Sequence, residues 1–275
     1  MELADAHVHL FGSGFVGRYG RPSSGGDDLD VYESFRLEHE IDTALIVGYE
    51  GDPLYRGNNA YVARLAGDCN WIVAVAFTPT HAPRVPAQPF AGVAVYLSTQ
   101  ADADRFASWP HALLDGLAAA GMIVSVNATP ATLSRTRDTL RRLEGCHVLI
   151  SHLGNPGTHD GPPSTAQVSA VLKPLLSLSD AVHIGVKLSG LYDISSPAHG
   201  FPHAVARPFI DRIADAFGTK RLYWGSDFSP ALDHVSFAQT IHAVSDLPWS
   251  DAERSAVMGG NLRRIVAGRT AARFS

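Results

Sequence analysis

Near its beginning the chain reads Asp5-Ala6-His7-Val8-His9-Leu10-Phe11, two histidines one residue apart in an apolar run. Side chains on a β-strand alternate with period two, so Asp5, His7 and His9 are expected on one face and Ala6, Val8 and Leu10 on the other. Two imidazoles then converge on one spot, where they can ligate a divalent metal or present two donors to one substrate oxygen. Two more residues close apolar runs just before a turn: His152 after Val148-Leu149-Ile150-Ser151, and Asp227 after Leu222-Tyr223-Trp224-Gly225-Ser226. Three imidazoles and a carboxylate suit one zinc or manganese ion better than calcium, which prefers oxygen ligands. The same groups can also work as base and hydrogen-bond donors with no metal at all.

These residues must be positioned by the elements around them. Eight β-like runs recur, at 3–10, 43–47, 71–77, 92–97, 122–126, 147–151, 183–188 and 221–226. Amphipathic segments expected as helices lie at 29–40, 58–66, 101–119, 131–143, 164–178 and 203–217. Residues 78–91 carry Pro79, Pro83, Pro86 and Pro89 and are expected as a loop. Eight strand units, most followed by a helix, predict an α/β fold: a single (β/α)8 TIM barrel domain over residues 1–275. Segments 232–244 and 251–267 are expected to pack outside the barrel as closing helices, the second opened by a capping box at Ser250 and Glu253. In a closed barrel the first and eighth strands are neighbours, which brings Asp227 beside His7 and His9. The loops after the strands are long and rich in Gly and Pro, marking that end as the catalytic face.

Several residues on or just after strands are candidates to contact a small-molecule substrate. Arg18 and Arg21, in the loop after the first strand, could grip a carboxylate. Tyr49, Arg56, Tyr96, Asn127 and Tyr192 are weaker candidates of the same kind. Lys187 shares a strand face with Gly185 and Ser189, so it either enters the barrel near the pocket or forms a structural ion pair. Asp5 is expected to orient His7 or His9 from behind. His81, His159, His199, His203 and His234 show no ligand spacing and are mostly expected in solvent. Gly12-Ser13-Gly14-Phe15-Val16-Gly17 matches a dinucleotide fingerprint, but Arg18 to Gly26 cannot start the required helix.

Bulk composition excludes other classes. A net charge of -5 with no basic block argues against a nucleic-acid partner. No apolar run approaches the roughly 20 residues of a membrane span, and no leader-like core is seen, so a cytoplasmic protein is expected. The two cysteines, Cys69 and Cys146, lack CxxC spacing and are expected as reduced thiols. A homo-oligomer is compatible with these numbers.

Five pieces in order resemble the amidohydrolase superfamily, in the amidohydrolase-related branch that includes sugar-acid lactonases and 2-pyrone-4,6-dicarboxylate lactonase. They are Asp5-Ala6-His7-Val8-His9-Leu10, Ser151-His152-Leu153-Gly154-Asn155-Pro156, Gly185-Val186-Lys187-Leu188-Ser189-Gly190, Gly225-Ser226-Asp227-Phe228 and Gly259-Gly260-Asn261-Leu262-Arg263-Arg264. The resemblance implies a distorted (β/α)8 barrel, with His7 and His9 as metal or substrate ligands, His152 as a mid-barrel histidine and Asp227 as the eighth-strand aspartate. Metal-dependent members usually carry another histidine on the strand after His152, but that strand here reads Val186-Lys187-Leu188-Ser189. Lys173, Lys187 and Lys220 come too late in the chain to bridge two metals. The resemblance therefore implies a lactone hydrolase, working without metal or with one divalent ion, zinc by preference. Asp227 would activate water while His7, His9 and His152 polarise the carbonyl. The alternatives are a metal-dependent decarboxylase or amidohydrolase, and a catalytically inactive barrel acting as a binding subunit, in which one of the four residues would be turned away.

Overall fold

A computed structural model describes residues 2–272; Met1 and residues 273–275 lie outside it. Eight strands pair in parallel and in chain order: β1 (Leu3–Val8), β2 (Ile41–Val47), β3 (Ile72–Phe77), β4 (Gly92–Leu97), β5 (Ile123–Ala128), β6 (His147–Ile150), β7 (Ile184–Leu188) and β8 (Leu222–Trp224). Each is apolar almost throughout, as strands covered on both faces must be. The helices are α1 (Asp28–Glu38), α2 (Asn58–Asp68), α3 (Gln100–Ala107), α4 (His111–Ala119), α5 (Pro130–Arg141), α6 (Thr165–Leu176), α7 (Leu191–Ile194), α8 (Arg207–Phe217), α9 (Phe237–Ser245), α10 (Asp251–Ser255) and α11 (Asn261–Ala272). The larger apolar core, with Tyr32, Phe106, Phe209 and Trp224, mixes residues of the helices with residues of the strands. A second cluster, with Leu45, Val75, Ala94, Ile123 and Leu149, is drawn chiefly from strand residues.

The expected (β/α)8 barrel is therefore observed, and the proline-rich segment between β3 and β4 contains no helix. The segment expected as one helix over 101–119 is two, α3 and α4, divided at Ser108-Trp109-Pro110. The residue before a proline is driven out of helical conformation, and the proline then starts the next helix. The last segment differs more. Between α10 and α11 the chain kinks at Ala256–Gly260, and Leu262 and Ile265 join the cluster containing Ala4 and Ala6 instead of packing wholly outside the barrel.

That kink matters because β8 is only three residues long and no ladder joins it directly to β1. The seam is closed from two directions. At the carboxyl ends, Asp227 N–H donates to His7 O (2.9 Å), His9 N–H to Phe228 O (2.5 Å) and Ser226 N–H to Asp5 Oδ1 (2.9 Å). At the other end, Asn261 Nδ2 donates to Leu222 O (2.7 Å) and Arg263 Nη2 to Leu3 O (3.0 Å). The main chains approach so closely at the seam that a Cβ on Gly225 would lie 2.7 Å from the Cβ of His7, a separation only glycine allows.

β1 does not alternate strictly. Its pairing with β2 shifts register between Asp5 and Val8. Ala4 and Ala6 belong to one core cluster while Val8 packs in the other, and Asp5 points to α1, where Tyr32 Oη donates to its Oδ2 (3.1 Å). This irregularity, a β-bulge of the kind that re-aims side chains beside active sites, separates Asp5 from the face of His7 and His9. Asp5 thus supports His7 through its backbone N–H (3.1 Å), not through its ring as expected. Asp5→Ala should lose about 3 kcal/mol or more of unfolding free energy in denaturant titrations, because two buried N–H groups and a hydroxyl lose their acceptor. Asp5→Asn, which keeps one acceptor oxygen, should lose less.

Candidate active site

His7, His9, His152 and Asp227 meet at the carboxyl end of the barrel. His7 Nε2 lies 3.1 Å from His9 Nε2 and 3.5 Å from Asp227 Oδ1. His9 Nε2 is 3.9 Å from the same oxygen, and His152 Nδ1 is 3.9 Å from Asp227 Oδ2. None of the four is turned away, as an inactive barrel would have required. His152 and Asp227 both adopt left-handed backbone conformations, with φ of 52° and 58°. Such conformations cost energy for residues bearing a Cβ and persist only where surrounding contacts hold them. Gly190, also left-handed, makes room for the histidine, since a Cβ there would lie 2.5 Å from His152 Nδ1.

A ring of hydrogen bonds orients these groups. His9 Nδ1 faces the Val47 carbonyl at 2.8 Å. Ser189 Oγ lies 3.0 Å from His152 Nδ1. Tyr192 Oη donates to Asp227 Oδ2 (2.7 Å), and His234 stacks on the Tyr192 ring at 4.8 Å. Beneath His7, the fully buried Lys187 places Nζ 3.0 Å from His7 Nδ1 and donates to Ser125 Oγ (2.8 Å). Of the two readings of Lys187, entry into the barrel is observed. Among the described residues it forms no ion pair, and it reaches the site from below, through His7.

Burial acts on the charges in opposite directions. Removed from water, Asp227 is pushed up to about 6, although His9 and the Tyr192 hydroxyl favour its charged form. Burial lowers His9 and His152 to about 4 and holds His7 well below the usual histidine range. Lys187 falls to about 7 for the same reason, against the pull of Asp5 and Asp227. Near neutral pH the histidines are thus uncharged and Asp227 is an ionised base held close to its titration point.

Of the remaining candidates, three line a cavity, two are exposed to solvent and Asn127 is half-buried. Tyr49, Arg56 and Tyr96 line a cavity of about 660 Å³ together with Phe77, His81 and Arg84. The four-residue cluster lies beside this cavity rather than in its wall, and Tyr96 joins the two. The Tyr96 hydroxyl is buried, has no hydrogen-bond partner among the described residues, and is pushed well above the usual tyrosine range by burial and by Asp227. Asn127 is next to Tyr96 in register, its Oδ1 accepting from Asn155 Nδ2 (2.9 Å). Arg18 and Arg21 are exposed and neither lines this cavity; the Arg18 guanidinium stacks on Tyr19. Ser125, Ser189 and His234 carry no sequence signal separating them from ordinary strand and loop residues. His203, expected in solvent, is 4% exposed.

The donor spacing fits one divalent ion. Two ligands of a tetrahedral zinc stand about 3.3 Å apart, and the contacts among His7, His9 and Asp227 run from 3.1 to 3.9 Å. His7, His152 and Asp227 each also offer one ligand atom within 4.8 Å of the others. No helix among the described residues is long and apolar enough to cross a membrane.

The sequence profile of the amidohydrolase family matches residues 4–267. A Burkholderia multivorans L-fucono-1,5-lactonase is 29% identical over 126 residues, which cover 44% of this chain and 43% of that protein. The match therefore spans under half the length of this curated relative. Among solved structures, a B. multivorans amidohydrolase with bound Zn superposes at a TM-score of 0.79 and 21% identity, over 97% of this chain and 99% of that one. A Pseudomonas putida protein described as a 2-pyrone-4,6-dicarboxylic acid hydrolase superposes at 0.72 and 20% identity, over 96% and 97%. At these identities the superpositions establish a shared fold.

Removing the Tyr192 hydroxyl should expose what it does for the base. In Tyr192→Phe the Asp227 carboxyl should titrate about one unit higher, because a hydrogen bond that favours the carboxylate is gone. Carboxyl NMR across a pH series reads the shift directly, and an unmoved titration would show that this bond does not stabilise the charge.

Proposed function

This chain belongs to the amidohydrolase family, and from that premise we propose that it hydrolyses a small cyclic ester, with Asp227 as the base that activates water. The observation that carries the reading is a buried carboxylate with three uncharged imidazoles around it, at the mouth of a barrel and beside a cavity. The lactonase relative and the dicarboxylic acid hydrolase fold neighbour support the substrate class.

Asp227 Oδ1, the oxygen not occupied by Tyr192, takes a proton from water as the water oxygen bonds to the lactone carbonyl carbon. The carbonyl oxygen becomes an oxyanion, and the ring N–H groups of His7 and His152 and the Tyr96 hydroxyl, which has no hydrogen-bond partner among the described residues, are the donors proposed to receive it. Collapse of the tetrahedral centre breaks the ring C–O bond. Asp227 returns its proton to the departing alkoxide and leaves a hydroxy acid. A divalent ion held by the histidines and Asp227, zinc by preference, would polarise the carbonyl when bound. Tyr49 and Arg56 are proposed to contact the substrate in the cavity, where the exposed Arg56 guanidinium forms no ion pair among the described residues.

Asp227→Asn should reduce kcat on the hydrolysed lactone by about 10²- to 10⁴-fold, the usual contribution of a general base, with an unchanged circular dichroism spectrum. Near wild-type turnover in that variant would end the proposal. The pH profile gives a second check. Only ionised Asp227 can accept a proton, so kcat/KM should fall as pH drops through about 6 and level off above it.

A further inference from the structure

Lys187 is fully buried beneath the site yet has no task in the proposed reaction, and the hydrogen bonds around it can be followed from both ends. At one end the Val47 carbonyl can only accept, so His9 carries its proton on Nδ1 and keeps a lone pair on Nε2. His7 Nε2 approaches that lone pair at 3.1 Å. Unless a cation takes both lone pairs, two ring nitrogens so close need a hydrogen between them, and His7 then supplies it. At the other end Lys187 Nζ, which already donates to Ser125 Oγ, stands 3.0 Å from His7 Nδ1. In its charged form the Lys187 amine has no lone pair and can only donate, which again makes Nδ1 the acceptor and leaves the His7 proton on Nε2. The alternative acceptor for an Nδ1 proton, Ser151 Oγ, is 3.4 Å away.

The two ends agree on one tautomer. A histidine that ligates a metal through one ring nitrogen almost always donates the hydrogen of the other to a carboxylate, carbonyl or water. His9 meets that requirement through Val47. At His7 the nearer partner of Nδ1 is a lysine at 3.0 Å, and the Ser151 hydroxyl at 3.4 Å is the more distant one.

We infer that Lys187 is a positioning residue that holds the His7 proton on Nε2, where it faces His9 Nε2 and Asp227 Oδ1, and weakens the site for a divalent cation. The spacing of the cluster suits an ion, but cation binding through His7 requires its proton to move to Nδ1, where Lys187 stands. The inference shares its site with the proposed lactone hydrolysis, although its physical test reads the ring proton and cation affinity rather than turnover.

The test uses the full chain with ¹⁵N-labelled histidine. In wild type, long-range ¹H–¹⁵N correlation should show His7, assigned by comparison with His7→Asn, with a protonated Nε2 and an unprotonated Nδ1. Lys187→Gln puts an acceptor oxygen opposite Nδ1 and should move the proton there. Zinc affinity, titrated calorimetrically with zinc chloride, should rise about tenfold or more in Lys187→Gln, the lower end of what such outer partners control. Lys187→Met, which removes the donor without adding an acceptor, should fall between the two. A wild-type His7 protonated on Nδ1, or equal zinc affinity in all three proteins, would overturn the inference. Should the variants not fold, the wild-type tautomer alone decides. Loss of the lactonase reading with the Nε2 tautomer intact would leave the role of Lys187 standing.

Discussion

A cylinder of parallel strands exists only if its first and last strands meet, and here the last is too short to reach the first by an ordinary ladder. The chain meets this constraint with the residues that follow β8 and with the kinked C-terminal segment. Ser226, Asp227 and Phe228 bond to β1 at the carboxyl ends, while Asn261 and Arg263 take up carbonyls at the opposite ends. The same contacts that close the barrel also set Asp227 against His7 and His9. Architecture and candidate chemistry are therefore one arrangement at this seam. Asp28 reinforces it by accepting from Phe11 N–H on one side and Ser229 Oγ on the other, tying the loop after β1 to the loop after β8.

What the seam assembles is a set of ionisable groups taken out of water together. Desolvation disfavours every charge, so it raises the carboxylate and lowers the imidazoles and the amine, and the groups settle into forms that can share hydrogen bonds. Asp227 retains enough stabilisation from Tyr192 and His9 to remain a base near neutral pH. Lys187 sits deeper, between Ser125 and His7, where hydroxyl and ring nitrogen replace the carboxylate that usually accompanies a buried lysine.

Much of this could be read from local pattern. The strands were recognisable because a parallel barrel buries both faces of each, giving apolar runs too short to be mistaken for helices. Their bounds agree with expectation to within two residues, and the capping box at Ser250 and Glu253 forms as read. The spacing of His7 and His9 gave their common face correctly, while the same rule misplaced Asp5, since a register shift is a property of two strands and leaves no mark in one. The expected single helix over 101–119 failed at Pro110, a breaker whose effect is local and could have been applied.

Periodicity, turn residues and chain order were enough to specify the barrel, the end at which the candidate residues gather and the identities of the four clustered side chains, because each of those depends on neighbours a few positions away. Which hydrogen each ring carries depended on Val47 meeting His9 and Lys187 meeting His7, contacts spanning 38 and 180 positions. The Tyr192 bond to Asp227, the orphaned Tyr96 hydroxyl and the entry of Leu262 and Ile265 into the core are of the same kind. Donor direction and burial are settled only when distant segments exclude water from one another, and no local pattern encodes that exclusion.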